Sequence, residues 1–280
     1  RISISQAWSY ATSFFSGQGA NHAIALIGVG IVIPLILQFA LGGGAAMTDP
    51  MAFAAAGGGA AMGGMMILLS LINYVLQTGS YFASWRIGLT NGAEPVGQAL
   101  VYGFIASLPV LALTIVLVII LVIFMMLIFG SAILAGFTGG APDPEALASR
   151  GALALLLIPL LLVFFVWLGA RFCCSGPIMA DQRSYNIISA LGESWRMTAA
   201  SQWKIFGYFI LLGIALFVIF MILGAIVGVS MFAGGGMPST GSFVGIMVGA
   251  LLLSIPMAYL QVGVPVGIYR ALGPTKASDV

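Results

Sequence analysis

The stretch that decides the fold is FIASLPVLALTIVLVIILVIFMMLIFG, residues 104–130, which contains no charged side chain. An α-helix needs about 20 apolar residues to cross the roughly 30 Å hydrocarbon core of a bilayer. Six stretches of the chain are long and apolar enough, at about 23–42, 65–87, 104–130, 152–175, 205–231 and 243–269. None of them contains Asp or Glu. The sequence therefore predicts an all-α integral membrane protein with six transmembrane helices.

The composition indicates the same fold class for the whole chain. Of its 280 residues, 61% are hydrophobic and 6% are charged, and the mean hydropathy is +1.16. A water-soluble protein needs more polar residues for its surface, and an outer-membrane barrel shows shorter segments of alternating hydrophobicity. We predict a single polytopic membrane domain over residues 1–280. No cleavable signal peptide is recognisable, so we expect the first span to act as the export signal and a few residues to precede Arg1.

The positions of the Lys and Arg residues predict the orientation, because short cytoplasmic loops carry the excess of positive charge. With six spans, one side of the membrane receives Arg1, Arg86, Arg171, Arg183, Arg196, Lys204, Arg270 and Lys276. The other side receives Arg150. We therefore predict a multi-pass protein of the bacterial inner membrane with both termini in the cytoplasm. The net charge of +2 is too small to indicate a nucleic-acid partner.

A short motif recurs three times along the chain. It reads SQAW at residues 5–8, GQAL at 97–100 and GESW at 192–195. Each copy precedes two apolar stretches joined by a Gly-rich connection, and each unit closes with an arginine: Arg86, Arg171 and Arg270. Because repeated order indicates repeated structure, we predict three two-span units, at about 1–92, 93–185 and 186–280.

The segment around the third motif predicts a helix that lies on the membrane surface. Trp195 shares one helical face with Ile188 and Leu191, while Glu193 and Arg196 lie mostly on the other. Tryptophan and arginine prefer the headgroup region, and the first unit shows a similar pattern. We predict cytoplasmic interfacial helices. The residues expected to anchor the chain at the interface, or to dock a partner, are Trp8, Trp195, Arg196, Trp203, Lys204, Arg86, Arg171 and Arg270.

The stretch IISALGESWRMTAASQWKIFGYFIL, residues 187–211, resembles the bacterial YciC-like family and the related membrane domain attached to some glycerophosphoryl diester phosphodiesterases. The resemblance covers the layout of six spans. It implies an inner-membrane protein. The phosphodiesterase's catalytic barrel has no counterpart in these residues, so the resemblance does not imply that activity.

The residues that carry chemistry are few. His22 is the only histidine, which excludes a histidine-based triad and a multi-histidine metal site within the chain; we expect it to form a hydrogen bond at the interface, with proton transfer or ligation as the alternative. Cys173 and Cys174 are expected to be boundary residues, with palmitoylation or metal binding as alternatives. The carboxylates read as structural: Asp49 in a turn, Asp143 and Glu145 at a helix start, and Asp181 as a boundary charge. We predict no catalytic residue, no metal site and no cofactor.

Two amides inside the second apolar stretch are the main candidates for a polar cavity within the membrane. Asn73 and Gln77 are four residues apart and therefore share a helical face, where they either bond to neighbouring helices or line a cavity. The spacing of Gly224 and Gly228 favours close helix packing, and GVPVG at 263–267 could break the last span. No ionisable residue lies in the middle of a predicted span, which argues against a proton-coupled transporter.

These observations favour a protein that is not an enzyme. We predict an inner-membrane scaffold or accessory subunit of a larger complex, whose partners are membrane lipids and other membrane proteins. The alternative is a permease or transporter for a lipid or a small apolar solute, which the repeats, the softened spans and the pair Asn73 and Gln77 would support.

Overall fold

A computed structural model describes residues 3–38, 40–41, 59–130, 144–232 and 240–273. Within these ranges every regular element is a helix, and the nine helices are α1 (Ile4–Ser13), α2 (Gly19–Gln38), α3 (Gly59–Leu89), α4 (Val96–Phe129), α5 (Pro144–Phe172), α6 (Ser175–Gln182), α7 (Ile187–Thr198), α8 (Gln202–Phe232) and α9 (Thr240–Leu272). The middle of α2, Ile24–Val32, is π-helical, and a short 3₁₀ turn, Ala199–Ser201, joins α7 to α8. The all-helical prediction is confirmed for this part of the chain.

Five helical segments of the described ranges are long and apolar enough to cross a membrane: Gly19–Gln38, Val96–Met126, Leu157–Gln182, Ile187–Ile222 and Leu251–Leu272. They lie in α2, in α4, across α5 and α6, across α7 and α8, and in α9. The predicted stretch 65–87 is helical as well, in α3, but polar side chains such as Asn73 and Gln77 interrupt its apolar residues. The protein is therefore a multi-pass helical membrane protein.

Helix α3 is the centre of the fold, because it packs against α2, α4, α6 and α9. Helices α3 and α4 cross where Gly79 meets Gly103, and a Cβ atom at position 103 would collide with the Gly79 carbonyl. Small residues allow this close approach, which maximises van der Waals contact between helices in lipid. The turn between the two helices places Asn91 and Gly92 in the left-handed region, with φ of 51° and 74°.

Helix α1 packs against the end of α9 through the glycines of the GVPVG sequence. A Cβ atom on Gly267 would collide with the carbonyl of Ala7, and one on Gly263 would lie 3.4 Å from the carbonyl of Ala11. Helix α9 continues through Pro265 to Leu272, so the break that GVPVG could have introduced in the last span is not present. The two glycines instead provide the groove in which α1 lies.

Helix α6 was not predicted, and it lies in the packed interior. Its residues Gly176, Pro177, Ile178, Met179 and Ala180 are all buried, and it contacts α3, α7 and α9. A Cβ atom at position 176 would collide with the ring of Trp85. An eight-residue helix therefore fills the space between the ends of longer helices.

Away from this packed end, the long helices expose apolar side chains. In α4 every residue from Ile115 to Phe124 is at least 38% exposed, which leaves no face covered by the described chain. In α8 the run Phe217–Ile222 is similarly exposed. Such a surface is costly in water and is expected for a helix surrounded by lipid.

Several predicted features fall outside the described residues: the Gly-rich connections, the turn at Asp49 and the helix cap at Asp143. Helix α5 does begin at Pro144, the residue expected at its first position.

Candidate functional site

The polar groups of the described chain concentrate where three helices end. Arg86, Arg171 and Arg270, the arginines that close the three sequence units, lie in the last turns of α3, α5 and α9. A cation in the last turn of a helix interacts favourably with the helix dipole and with unpaired carbonyls. We call these three arginines and the residues that they contact the arginine layer.

Arg86 fixes the carboxyl end of α6. Its Nε donates to the carboxylate of Glu94, and its Nη1 donates to the carbonyls of Ala180 at 2.9 Å and Asp181 at 3.3 Å. Arg183 adds a second ion pair with Glu94, at 3.5 Å. The Glu94 side chain is only 8% exposed and that of Arg86 is 14% exposed, so this pair is poorly accessible to water, whereas Arg183 is 55% exposed. The buried carboxylate therefore depends mainly on Arg86.

Three aromatic side chains hold the same short helix. Tyr102 donates from its hydroxyl to the carbonyls of Met179 at 2.6 Å and Ser184 at 3.1 Å. Tyr269 donates to the carboxylate of Asp181 at 2.7 Å. The ring of Trp85 packs against Gly176 of α6, and its indole N–H donates to the carbonyl of Val262 in α9 at 2.9 Å. The carboxyl end of α6 is bonded to α3 through Arg86, to α4 through Tyr102 and to α9 through Tyr269.

Arg270 connects the end of α9 to two other helices. Its Nη2 donates to the carbonyl of Gly88 at 3.3 Å, and its guanidinium carbon lies 5.2 Å from the ring centroid of Phe14. The hydrogen bond reaches α3, and Phe14 directly follows α1. Arg270 therefore ties the amino-terminal helix to the arginine layer.

Arg171 differs from the other two arginines. It is 3% exposed, and its guanidinium carbon lies 4.0 Å from the ring centroid of Trp195 on α7. Its carbonyl accepts hydrogen bonds from Ser194 at 2.8 Å and Thr198 at 3.2 Å. Its Nε and Nη1, however, have no hydrogen-bond partner among the described residues.

The histidine forms a hydrogen bond, as expected, and it does so inside the packed chain at the start of α2; its position at the membrane interface stays a prediction. His22 is fully buried, and its Nδ1 forms a 2.7 Å hydrogen bond with the hydroxyl of Ser84. The rings of Phe14 and Phe15 lie 5.2 Å and 5.0 Å from it, centroid to centroid. His22 therefore joins the start of α2 to α3.

The predicted anchoring residues fall into two groups. Trp8, Trp195 and Trp203 are 45%, 38% and 69% exposed, and Arg196 and Lys204 are exposed as well. Arg86, Arg171 and Arg270 instead direct their guanidinium groups into the packed chain, as described above. The anchoring role stays a prediction for all eight, and the three arginines also have internal contacts that sequence reasoning did not anticipate.

The two amides proposed as cavity lining lie on α3, and neither lines the two clefts described below. Gln77 is exposed, and the Oδ1 atom of Asn73 is buried and has no hydrogen-bond partner among the described residues. An open cleft of about 200 Å³ lies elsewhere, between Gln98, Tyr102, Arg183 and Tyr185 at the start of α4. A second cavity, of about 10 Å³, separates α1 from α8.

The described residues do not bring together three or more His, Cys, Asp or Glu side chains as a metal site would require. The thiols of Cys173 and Cys174 lie 3.7 Å apart and are not joined in a disulfide. That the protein is not an enzyme stays a prediction.

Residues 145–267 match the family described as the membrane domain of glycerophosphoryl diester phosphodiesterase. The match covers less than half of the 280 residues and extends from the start of α5 into the last turns of α9. It confirms the predicted resemblance to this membrane domain over these residues, and it supports a membrane protein. Comparisons with curated proteins and with solved structures found no match.

Proposed function

We propose that this protein is a non-enzymatic scaffold of the bacterial inner membrane, which binds lipids and serves as an accessory subunit of a larger membrane complex. The observation that carries the proposal is a contrast within the fold. Most polar side chains of the arginine layer bond to the chain itself, while α4, α5 and α8 expose runs of apolar residues at 115–124, 162–165 and 217–222. A protein built in this way offers lipids and neighbouring helices a large apolar surface.

The proposed topology has six spans in three two-span units, with both termini in the cytoplasm. The span that this topology adds to the five apolar segments is α3, the second in chain order. It is 31 residues long and could cross the bilayer while its polar residues bond to neighbouring helices. Tyr74 of α3 forms such a bond, 2.7 Å long, with the hydroxyl of Thr114 in α4. The three closing arginines all lie in the last turns of their helices, which supports the repeat.

The cytoplasmic helices α1 and α7 are proposed to lie at the membrane interface. Helix α1 buries Ala7 and Ala11 and exposes Trp8, and α7 buries Ala190, Ser194 and Thr198 while it exposes Arg196. Each helix thus has one packed face and one outer face with an interfacial residue type. The outer face of α7 is the proposed docking surface for a neighbouring membrane protein.

Photo-crosslinking in native membranes tests this proposal. A photoreactive amino acid is placed at Phe217, which is 64% exposed on α8, or at Ile188, which is 67% exposed on α7. The buried position Ile178 is the control, because its side chain contacts only this chain. We expect lipid adducts at Phe217 and a discrete adduct with a second membrane protein at Ile188. If both exposed positions crosslinked only to the protein itself, and to no lipid or second protein, the accessory role would be contradicted.

A further inference from the structure

Resting on the lipid binding proposed above, we infer that Arg171 and Trp195 form a specific site for one phospholipid, in which Arg171 binds the phosphate of the headgroup. The site lies between the end of α5 and the amphipathic helix α7. It is separate from the Arg86 and Arg270 contacts, which the chain itself satisfies.

The first argument is the unmet bonding of the guanidinium. An arginine is always charged in a protein and presents five N–H donors. Only 3% of the surface of Arg171 is exposed, yet its Nε and Nη1 atoms have no acceptor among the described residues. A buried polar group that is left unpaired is costly, and more so when it is charged. Arg86, at the equivalent helix end, uses Nε and Nη1 on Glu94, Ala180 and Asp181.

The interactions that Arg171 does have leave those donors available. Its place in the last turn of α5 stabilises the positive charge, and the ring of Trp195 at 4.0 Å covers one face of the guanidinium. The donors point outward in the guanidinium plane, so a ring on the face does not satisfy them. They need oxygen atoms that lie in that plane.

The described neighbours of Arg171 do not supply these oxygen atoms. The hydroxyls of Ser194 and Thr198 donate to the backbone carbonyl of Arg171, and no acceptor among the described residues lies within hydrogen-bond distance of its Nε or Nη1. The proposed acceptor therefore comes from outside the described chain, and arginine's preferred external acceptors are phosphate and carboxylate oxygens.

The surface that leads to Arg171 identifies the phosphate as part of a lipid. Leu160, Phe164, Trp167 and Arg171 follow one another at helical spacings of four, three and four residues, so they share one face of α5. Leu160 is 61% exposed and Phe164 is 48% exposed. This stripe is an apolar track that ends at a cation, which is the pattern of a phospholipid with its acyl chain along the helix and its phosphate at the end.

Trp195 is placed to act as the cover of the site. Its ring is packed edge-on against Trp167 at 5.6 Å and lies 5.5 Å from Phe172, both measured between centroids. Because Trp195 is itself 38% exposed, the guanidinium lies one aromatic ring below the surface. The proposed site requires this side chain to turn aside so that the phosphate reaches Nε and Nη1, and the indole belongs to the residue type that favours the headgroup region.

The test is phospholipid binding by the purified, delipidated full chain in mild detergent, measured as lipid retained per protein in native mass spectrometry during titration with phosphatidylglycerol. We expect the wild-type chain to bind one molecule and Arg171→Met to bind it at least about tenfold more weakly. The matched control Arg183→Met removes a cation whose side chain is 55% exposed and which is not among the proposed anchoring residues, and it is expected to bind like wild type. Equal binding by Arg171→Met and wild type would overturn the site. Inorganic phosphate is then added as a competitor of the bound lipid. The site would also be overturned if inorganic phosphate displaced the lipid as well as phosphatidylglycerol does at the same concentration.

A second pair of variants keeps the test independent of whether Arg171→Met folds. Phe164→Ala trims the proposed track, and Leu162→Ala trims a residue that is 59% exposed on the opposite face of α5. We expect Phe164→Ala to weaken binding about threefold and Leu162→Ala to leave it unchanged. Equal effects of the two variants contradict the site. Lipid retained by every variant to the same extent rejects this site while the proposed function stands, whereas no lipid retained by the wild-type chain rejects both.

Discussion

The guanidinium of Arg86 donates from Nη1 to the carbonyl of Ala180 at 2.9 Å, across 94 residues of sequence. The bond joins the last turn of the central helix α3 to the buried helix α6. The same guanidinium pairs with Glu94, whose side chain is almost inaccessible to solvent. One arginine therefore holds a helix end and neutralises a buried carboxylate.

Arg86→Met should destabilise the protein by about 3 kcal/mol or more, because it leaves the Glu94 carboxylate with only the more distant Arg183. The measurement is the free energy of unfolding in detergent on titration with a denaturing detergent. Glu94→Gln combined with Arg86→Met should recover part of the loss, since the unpaired charge is then removed. A single variant as stable as wild type would show that this ion pair does not support α6.

The crossing of α3 and α4 gives a prediction with a matched control. Gly103→Ala places a methyl group against the Gly79 carbonyl and should cost about 1–3 kcal/mol through helix displacement. Gly169→Ala on α5 meets no atom within 4 Å and should be neutral or slightly stabilising, because alanine favours helix more than glycine does. Thermal unfolding in the same detergent compares the two. Similar shifts in both variants would mean that the helices do not approach each other at Gly79.

Removal of a single hydroxyl tests the contact between α9 and α6. Tyr269→Phe loses a hydrogen bond to the carboxylate of Asp181, and a bond to a charged group contributes about 1.5–3 kcal/mol. Tyr10→Phe, on α1, loses a 3.3 Å contact with Gln6 that is exposed, so its effect should be close to zero. Unfolding free energies of the two variants should therefore differ clearly. The contact contributes nothing if they do not.

Cysteine labelling tests the proposed topology. A cysteine introduced at Gly58 or Ser239 should react with an impermeant thiol reagent in intact cells, whereas one at Ser189, which is exposed on α7, should react only after lysis. The unsubstituted chain is the control, because Cys173 is partly exposed. Labelling at Ser189 in intact cells would reverse the proposed orientation.

The long helices could be predicted because length and hydropathy alone specify them. The stretch 104–130 lies on α4, and the arginines Arg86, Arg171 and Arg270 were found by their recurrence along the chain. The bonds of Arg86 to carbonyls of α6 could not be predicted, because no pattern in a single sequence relates residues 86 and 180.

Helix α6 and the bond between His22 and Ser84 could not be predicted for related reasons. The sequence SGPIMADQ of α6 is too short to show helical periodicity, and its burial comes from packing against distant segments. His22 precedes an apolar stretch, which predicts an interfacial position but does not identify its partner. Its partner Ser84 lies 62 residues away and is one of several serines in α3.

The most direct test of the proposed scaffold is solute flux in liposomes that contain the purified protein. We expect no saturable flux of ions, small polar solutes or apolar solutes above that of protein-free liposomes, while the protein retains bound lipid. Saturable flux that disappears when Asn73 and Gln77 are both replaced by Leu would contradict the scaffold role and establish a transporter.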